Sequence, residues 1–203
     1  MKIDHLIARQ ILDTRGRPTI ETTIRSGELS ATASVPSGKS TGEHEAVELD
    51  AIRAIENANG EIALALTKHD FNSLDELDTF LIGLDGTPNK SRLGANTILS
   101  VSVAAMRLFA LQENIPLWKA IAKRAGTTSS APRLFVNVMN GGVHALSAQA
   151  GGFPSTSLGA GKLPFQEYML VVEGKTSVAL PIAQKVFAKL GKILWKSDIH
   201  SRC

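Results

Sequence analysis

Leu29-Ser30-Ala31-Thr32-Ala33-Ser34-Val35-Pro36-Ser37-Gly38-Lys39-Ser40-Thr41-Gly42 passes from strict alternation into a loop of small residues. Up to Val35, the residues Leu29, Ala31, Ala33 and Val35 fall on one face and Ser30, Thr32 and Ser34 on the other. That period of two is expected of a strand in a sheet covered by helices on one side only. Gly38-Lys39-Ser40 invites a nucleotide-binding reading, but a phosphate-cradling loop needs a glycine five residues before its Gly-Lys pair. Position 33 is Ala33, and Pro36 removes one backbone N–H from the would-be cradle. The nucleotide reading fails on its own chemistry.

Upstream, two more strands are expected. Ile3 to Leu12 is one, and Thr19 to Arg25 follows a turn marked by Gly16-Arg17-Pro18; Ser26-Gly27 closes the hairpin into Leu29. Downstream, helical patterns take over at Glu43 to Asn57, at Ser73 to Ile82 with Ser73 as N-cap, and at Ser91 to Gln112. The last of these is apolar nearly all round, which predicts a buried helix. A short helix, Leu117 to Arg124, ends before Gly126. Strands followed by helices make an α+β domain over residues 1–131. Thr127-Thr128-Ser129-Ser130-Ala131-Pro132 reads as a linker. Beyond it lie a strand from Leu134 to Met139, a Gly/Ser-rich stretch over 146–161, a strand from Phe165 to Val172 and a helix from Pro181 to Leu194.

The composition narrows the function. Net charge is +3 with no long basic run, and two Trp and one Tyr give little for bases to stack on, so nucleic acid is not an expected partner. The single cysteine, Cys203, allows no intramolecular disulfide, and the charged N-terminus lacks a signal-peptide core, so a cytoplasmic location is expected. Ile98 to Leu111 is too short to span a bilayer and holds Arg107, so no membrane role is expected either. Three pieces suit chemistry. Ser40 or Thr41 offers an oxygen to a hard cation such as magnesium. His144 follows Asn140-Gly141-Gly142-Val143, where two glycines let the backbone approach a ligand. Gln166 and Glu167 set an amide beside a carboxylate at the start of a strand.

Five runs, in order, resemble the enolase (phosphopyruvate hydratase) family from Ile3 to about Leu194. They are Ala8 to Thr19, Pro36 to Gly42, Leu84 to Asn96, Asn137 to Ala145 and Phe165 to Met169. The resemblance implies a three-stranded meander capped by helices, followed by the opening of an α/β barrel over residues 132–203. It implies a lyase of glycolysis and gluconeogenesis that removes water from 2-phosphoglycerate to give phosphoenolpyruvate. In the family a lysine base takes the carbon-bound proton, two magnesium ions stabilise the dianion, and a glutamate acid helps hydroxide leave. By position, Ser40 matches the loop serine that reaches the second magnesium, and His144 and Gln166 match residues beside the substrate. Glu167 matches a residue beside the substrate that belongs to the carboxylate network at the leaving hydroxyl, a supporting catalytic carboxylate. Arg9 and Glu21 match positions that pair across the family's homodimer interface, with partners that lie in the family's C-terminal portion.

The departures shape the expectation for this chain. A closed barrel of this kind takes ~250 residues, and the 203-residue chain has far fewer after Pro132. The family's lysine, its principal acid, its three magnesium carboxylates and its phosphate-gripping arginine and serine have no counterpart here. The helical stretch after Asp50 is shorter than the family pattern, residues 146–161 replace a short loop with an unrelated insertion, and 195–203 diverge. The expectation is a truncated enolase-family chain, inactive alone. The alternative is a non-enzymatic module that pairs with full-length enolase or another protein through Arg9 and Glu21.

Overall fold

The computed structural model describes residues 1–38, 42–140 and 167–196. The expectations placed on Ser40, His144, Gln166 and the 146–161 insertion, and nearly all of the 195–203 tail, lie outside the described residues. The chain divides into two compact units, Met1–Ser129 and Ser130–Cys203.

The first unit opens with three antiparallel strands in the order β1 (His5–Leu12), β2 (Pro18–Ser26) and β3 (Leu29–Ser34). Register runs from His5 opposite Arg25 to Leu12 opposite Pro18, and from Glu21 opposite Ser34 to Ser26 opposite Leu29. The alternation in the sequence sorts the faces: Leu6, Ala8, Ile20, Ile24, Ala31, Ala33 and Val35 are buried. Ile7, Arg9 and Arg25 are exposed on the other side.

Helices cover the buried face. Asp50 caps α1 (Ala51–Asn57), its side chain accepting from the Arg53 N–H at 3.0 Å. The helix continues through a π-type turn (Ala58–Ile62) into α2 (Ala63–Leu66). This corrects the expected Glu43 to Asn57 helix at both ends. Residues 43–50 carry helix-favouring side chains, yet their backbone is already spoken for. The Val47 N–H donates to the Asn89 carbonyl at 2.8 Å, and the Val47 carbonyl accepts from Ala95 at 2.8 Å. Tertiary bonding wins over weak local propensity.

Ser73 caps α3 (Leu74–Asp85) as expected, accepting from the Glu76 N–H at 3.1 Å, and left-handed Gly86 ends it. α4 (Ala95–Gln112) lies over β2 and β3. Its buried stripe is made largely of small residues, Thr97, Ser100, Ala104 and Ala105 among them, while Leu99 and Leu111 are exposed. The expectation of a helix buried all round is therefore corrected. Small side chains let the helix axis come close to the sheet, and the bulky ones turn elsewhere. The Ser100 hydroxyl donates to the Thr97 carbonyl at 2.8 Å and so accepts from the Thr22 hydroxyl at 2.7 Å. A buried hydroxyl pair thus keys the helix to the central strand. α5 (Leu117–Arg124) follows Pro116 and ends before left-handed Gly126.

Each outer strand is met at one residue by a helix-borne side chain. The Asn59 amide, set by the π-type turn, accepts from the Ala8 N–H at 2.7 Å and donates to the Ala8 carbonyl at 3.0 Å. On the opposite strand, the Arg107 guanidinium of α4 donates to the Thr32 carbonyl. An open strand edge is a template for unwanted pairing, and here main-chain groups on each edge are taken.

In the second unit, β4 (Leu134–Asn140) pairs antiparallel with β5 (Glu167–Val172), with an irregularity between Asn137 and Met139. α6 (Thr176–Lys196) lays Ala179 and Ala183 against Val172, Leu134, Val136 and Leu170. This helix begins five residues before Pro181, not at it, so the proline sits in the second turn instead of the first. Neighbouring strands of an α/β barrel run parallel. The described residues of this unit show one antiparallel pair under a helix, and a barrel is not shown among them.

Candidate functional site

The loop after β3 is held at its root by the turn between β1 and β2. Asp-x-Arg-Gly-Arg is a sequence that folds on itself, because an aspartate side chain bonds the backbone two residues on. The Asp13 carboxylate accepts from the N–H groups of Arg15 at 2.8 Å and Arg17 at 2.9 Å, and Gly16 donates to the Asp13 carbonyl at 3.0 Å. The Arg17 N–H bond is foremost in holding the Asp13 carboxyl below its ordinary value; burial works against it, and the Arg15 backbone and guanidinium add to it. This turn aims Arg15 across to the loop. One guanidinium nitrogen donates to the Ser37 carbonyl at 2.6 Å and to the Gly38 carbonyl at 3.4 Å. The Thr19 hydroxyl adds a bond to the Val35 carbonyl, and Val35 still donates to Ile20 at 3.2 Å.

Beyond the loop, the chain at Leu49 is anchored by the first turn of α4. Asn96 uses both ends of its amide on the Leu49 backbone, accepting at 3.1 Å and donating at 2.8 Å. Gly94 makes this possible. Its φ of 95° is open to glycine alone, and a Cβ there would meet Asn96 Oδ1 and Leu49 Cγ at 2.9 Å. That backbone demand explains why α4 begins at Ala95 and not at Ser91.

A second support lies behind this stretch. Arg92 forms a two-pronged ion pair with Glu61 at 2.7 and 2.9 Å and donates to the carbonyls of Leu84 and Asp85. The Arg92 bond keeps the Glu61 carboxyl below its usual value. Asp85 is buried, which alone would disfavour its charge. Hydrogen bonds from the Thr87 hydroxyl at 2.6 Å and the Leu93 N–H at 3.1 Å, with backbone N–H groups of Thr87 and Arg92, outweigh that and lower it.

Between the two anchors, Gly38, Gly42, Glu43, Glu45, Glu48 and Asn89 line a cleft of about 390 Å³. Of the residues singled out in the sequence, Ser40 falls between Gly38 and Gly42 in the chain and lies outside the described residues. Glu167 opens β5 in the second unit and is exposed. Arg9 and Glu21 are register partners on the open face of the sheet, bonded Nε to Oε1 at 2.7 Å. Arg9 is 74% exposed and Glu21 only 19%. The sequence reading assigned no role to Arg15, Asn89 or Asn96, although all three sit inside runs it quoted. The Asp-x-Arg-Gly spacing was the available signal for Arg15. Nothing in the sequence announces that Asn96 reaches Leu49.

Among the described residues no group of three or more His, Cys, Asp or Glu side chains is placed to hold a metal ion. Magnesium asks for near-octahedral oxygen ligation, and the acidic side chains around the cleft do not supply it. Residues 3–121 match the family model for the enolase N-terminal domain. The match covers more than half of the chain and takes in both loop anchors.

Proposed function

This chain belongs to the enolase family, and on that premise we propose that its parent chemistry is the dehydration of 2-phosphoglycerate to phosphoenolpyruvate, a magnesium-dependent lyase reaction. The observation that carries the reading is the match over residues 3–121, which includes the turn, the loop root and the loop exit that the geometry ties together. In this reading Ser40 is the loop's oxygen for a metal that arrives with substrate. His144, Gln166 and Glu167 stand beside the substrate, Glu167 as the supporting carboxylate. The unit beyond Ser129 is read as the opening of the barrel, and the setting as cytoplasmic.

The 203 residues alone are proposed to be inactive. An enolate needs its developing charge met by placed cations and its proton taken by a placed base. Among the described residues no carboxylate group assembles a metal site, and no lysine of the sequence matches the family's base. The test is phosphoenolpyruvate formation by the purified chain with magnesium and 2-phosphoglycerate. A rate equal to the blank is expected, and a rate above it overturns the proposal of inactivity.

A second reading has its own observation. Arg9 and Glu21 sit on an uncovered sheet face where Ile7 is 54% exposed, which suits an interaction module that pairs with full-length enolase. Co-purification with the full-length enzyme, lost in Arg9→Glu, supports this reading. A chain that stays monomeric beside an excess of the enzyme removes it.

A further inference from the structure

We propose that Arg15 is the positioning residue of the loop root, a latch that sets the backbone of Ser37 and Gly38 through their carbonyls. Three observations converge on it. The guanidinium reaches Ser37 O at 2.6 Å and Gly38 O at 3.4 Å, more than twenty residues along the chain. Its own backbone N–H is fixed by Asp13, whose other carboxylate oxygen lies 3.5 Å from Arg15 Nε. The turn that carries both is closed by Gly16, at a φ of 72°.

The chemistry suits a latch. Hydrogen bonds to a charged donor are the stronger kind, and one guanidinium nitrogen carries two hydrogens, enough to reach both carbonyls while Nε faces Asp13. Because the grip is on main-chain oxygens, it leaves the Ser37 hydroxyl uncommitted by this contact. A trans peptide carries its N–H opposite its carbonyl, and no described peptide bond is cis. Holding the Ser37 carbonyl therefore turns the Gly38 N–H away from Arg15. Asp13 matters because it keeps Arg15 in place, not because it touches the loop. The latch concerns main-chain geometry and stands or falls independently of the dehydration reading.

The experiment is limited digestion of the full chain by a lysine-specific protease. Lys39 follows directly on Gly38, and exposed Lys68 at the end of α2 serves as a remote control. Cleavage of a briefly opened segment follows the population of the open form. Arg15→Gln is expected to speed cleavage after Lys39 about fivefold, as the loss of one modest hydrogen bond would, with cleavage after Lys68 unchanged and the thermal midpoint lowered by no more than the few degrees that such a change carries. Arg15→Lys should fall between the two. Asp13→Asn, which keeps the guanidinium but weakens its anchor, should move the same way. Unchanged cleavage after Lys39 in Arg15→Gln, or an equal rise at Lys68, overturns the proposal. Should Arg15→Gln fail to fold, Asp13→Asn decides by the same ratio of the two sites.

Discussion

Replacing Gly94 by alanine strikes the joint between the loop exit and α4. At a φ of 95° an alanine is strained, which costs about 1–3 kcal/mol. The new methyl would also stand 2.9 Å from Asn96 Oδ1 and Leu49 Cγ and 3.0 Å from Thr97 Oγ1. None of these can retreat freely, because Asn96 is doubly bonded to the Leu49 backbone and Thr97 is buried under the sheet. Displacing Asn96 forfeits two hydrogen bonds of about 1 kcal/mol each. The sum is about 3–5 kcal/mol, a large part of the roughly 5–15 kcal/mol that holds a domain folded.

Urea denaturation followed by circular dichroism measures it, as a lower midpoint with an unchanged slope. Gly86→Ala is the matched control. Gly86 also has positive φ, at 70°, but the nearest atom a methyl would meet is the Gly83 carbonyl at 3.7 Å. It should lose only the conformational term, about 1 kcal/mol. If Gly94→Ala unfolds within experimental error of Gly86→Ala, the crowding around Asn96 is not what fixes this joint and the reasoning fails.

Two further outcomes follow from the same unit. Asn59→Ala, which removes both bonds to Ala8, should cost about 1–2 kcal/mol and raise amide exchange at Ala8 above that of the central strand; an unchanged Ala8 amide refutes the edge role. The Asp85, Asp13 and Glu61 carboxyls are all held below their ordinary values. Such groups contribute stability that is fully present above the unfolded carboxylate value and is lost as pH falls through the folded one. Thermal midpoints should therefore hold steady from pH 7 to about 5 and fall below about pH 4, and Asp85→Asn should flatten that fall.

Much of the first unit was legible because its signals are local. Period-two alternation placed Ala31, Ala33 and Val35 inward, and the Ser73 cap and the Leu117–Arg124 helix stand where spacing put them. The misreadings share one physical cause. Glu43 to Asp50 has helical composition but spends its backbone on Asn89, Ala95 and Asn96, and a sequence does not show who will claim a carbonyl forty residues away. α4 misled for a related reason. Its apolar count was visible, yet burial follows the small residues that permit close approach to the sheet. At the site, the loop was found by its residues, whereas Arg15 was missed because its effect is delivered through the backbone of another segment.

The side chains of Asn59 and Arg107 also settle how this sheet can meet other molecules. Lateral growth, in which an incoming extended peptide zips onto the end of a ladder, requires a row of vacant donors and acceptors. The Ala8 groups on one flank and the Thr32 carbonyl on the other are already occupied by the chain itself. The ladder is capped at these two points. A strand arriving at either flank would first have to displace the Asn59 or Arg107 side chain, whereas the plane that carries Arg9 and Glu21 offers recognition by side chains and charge.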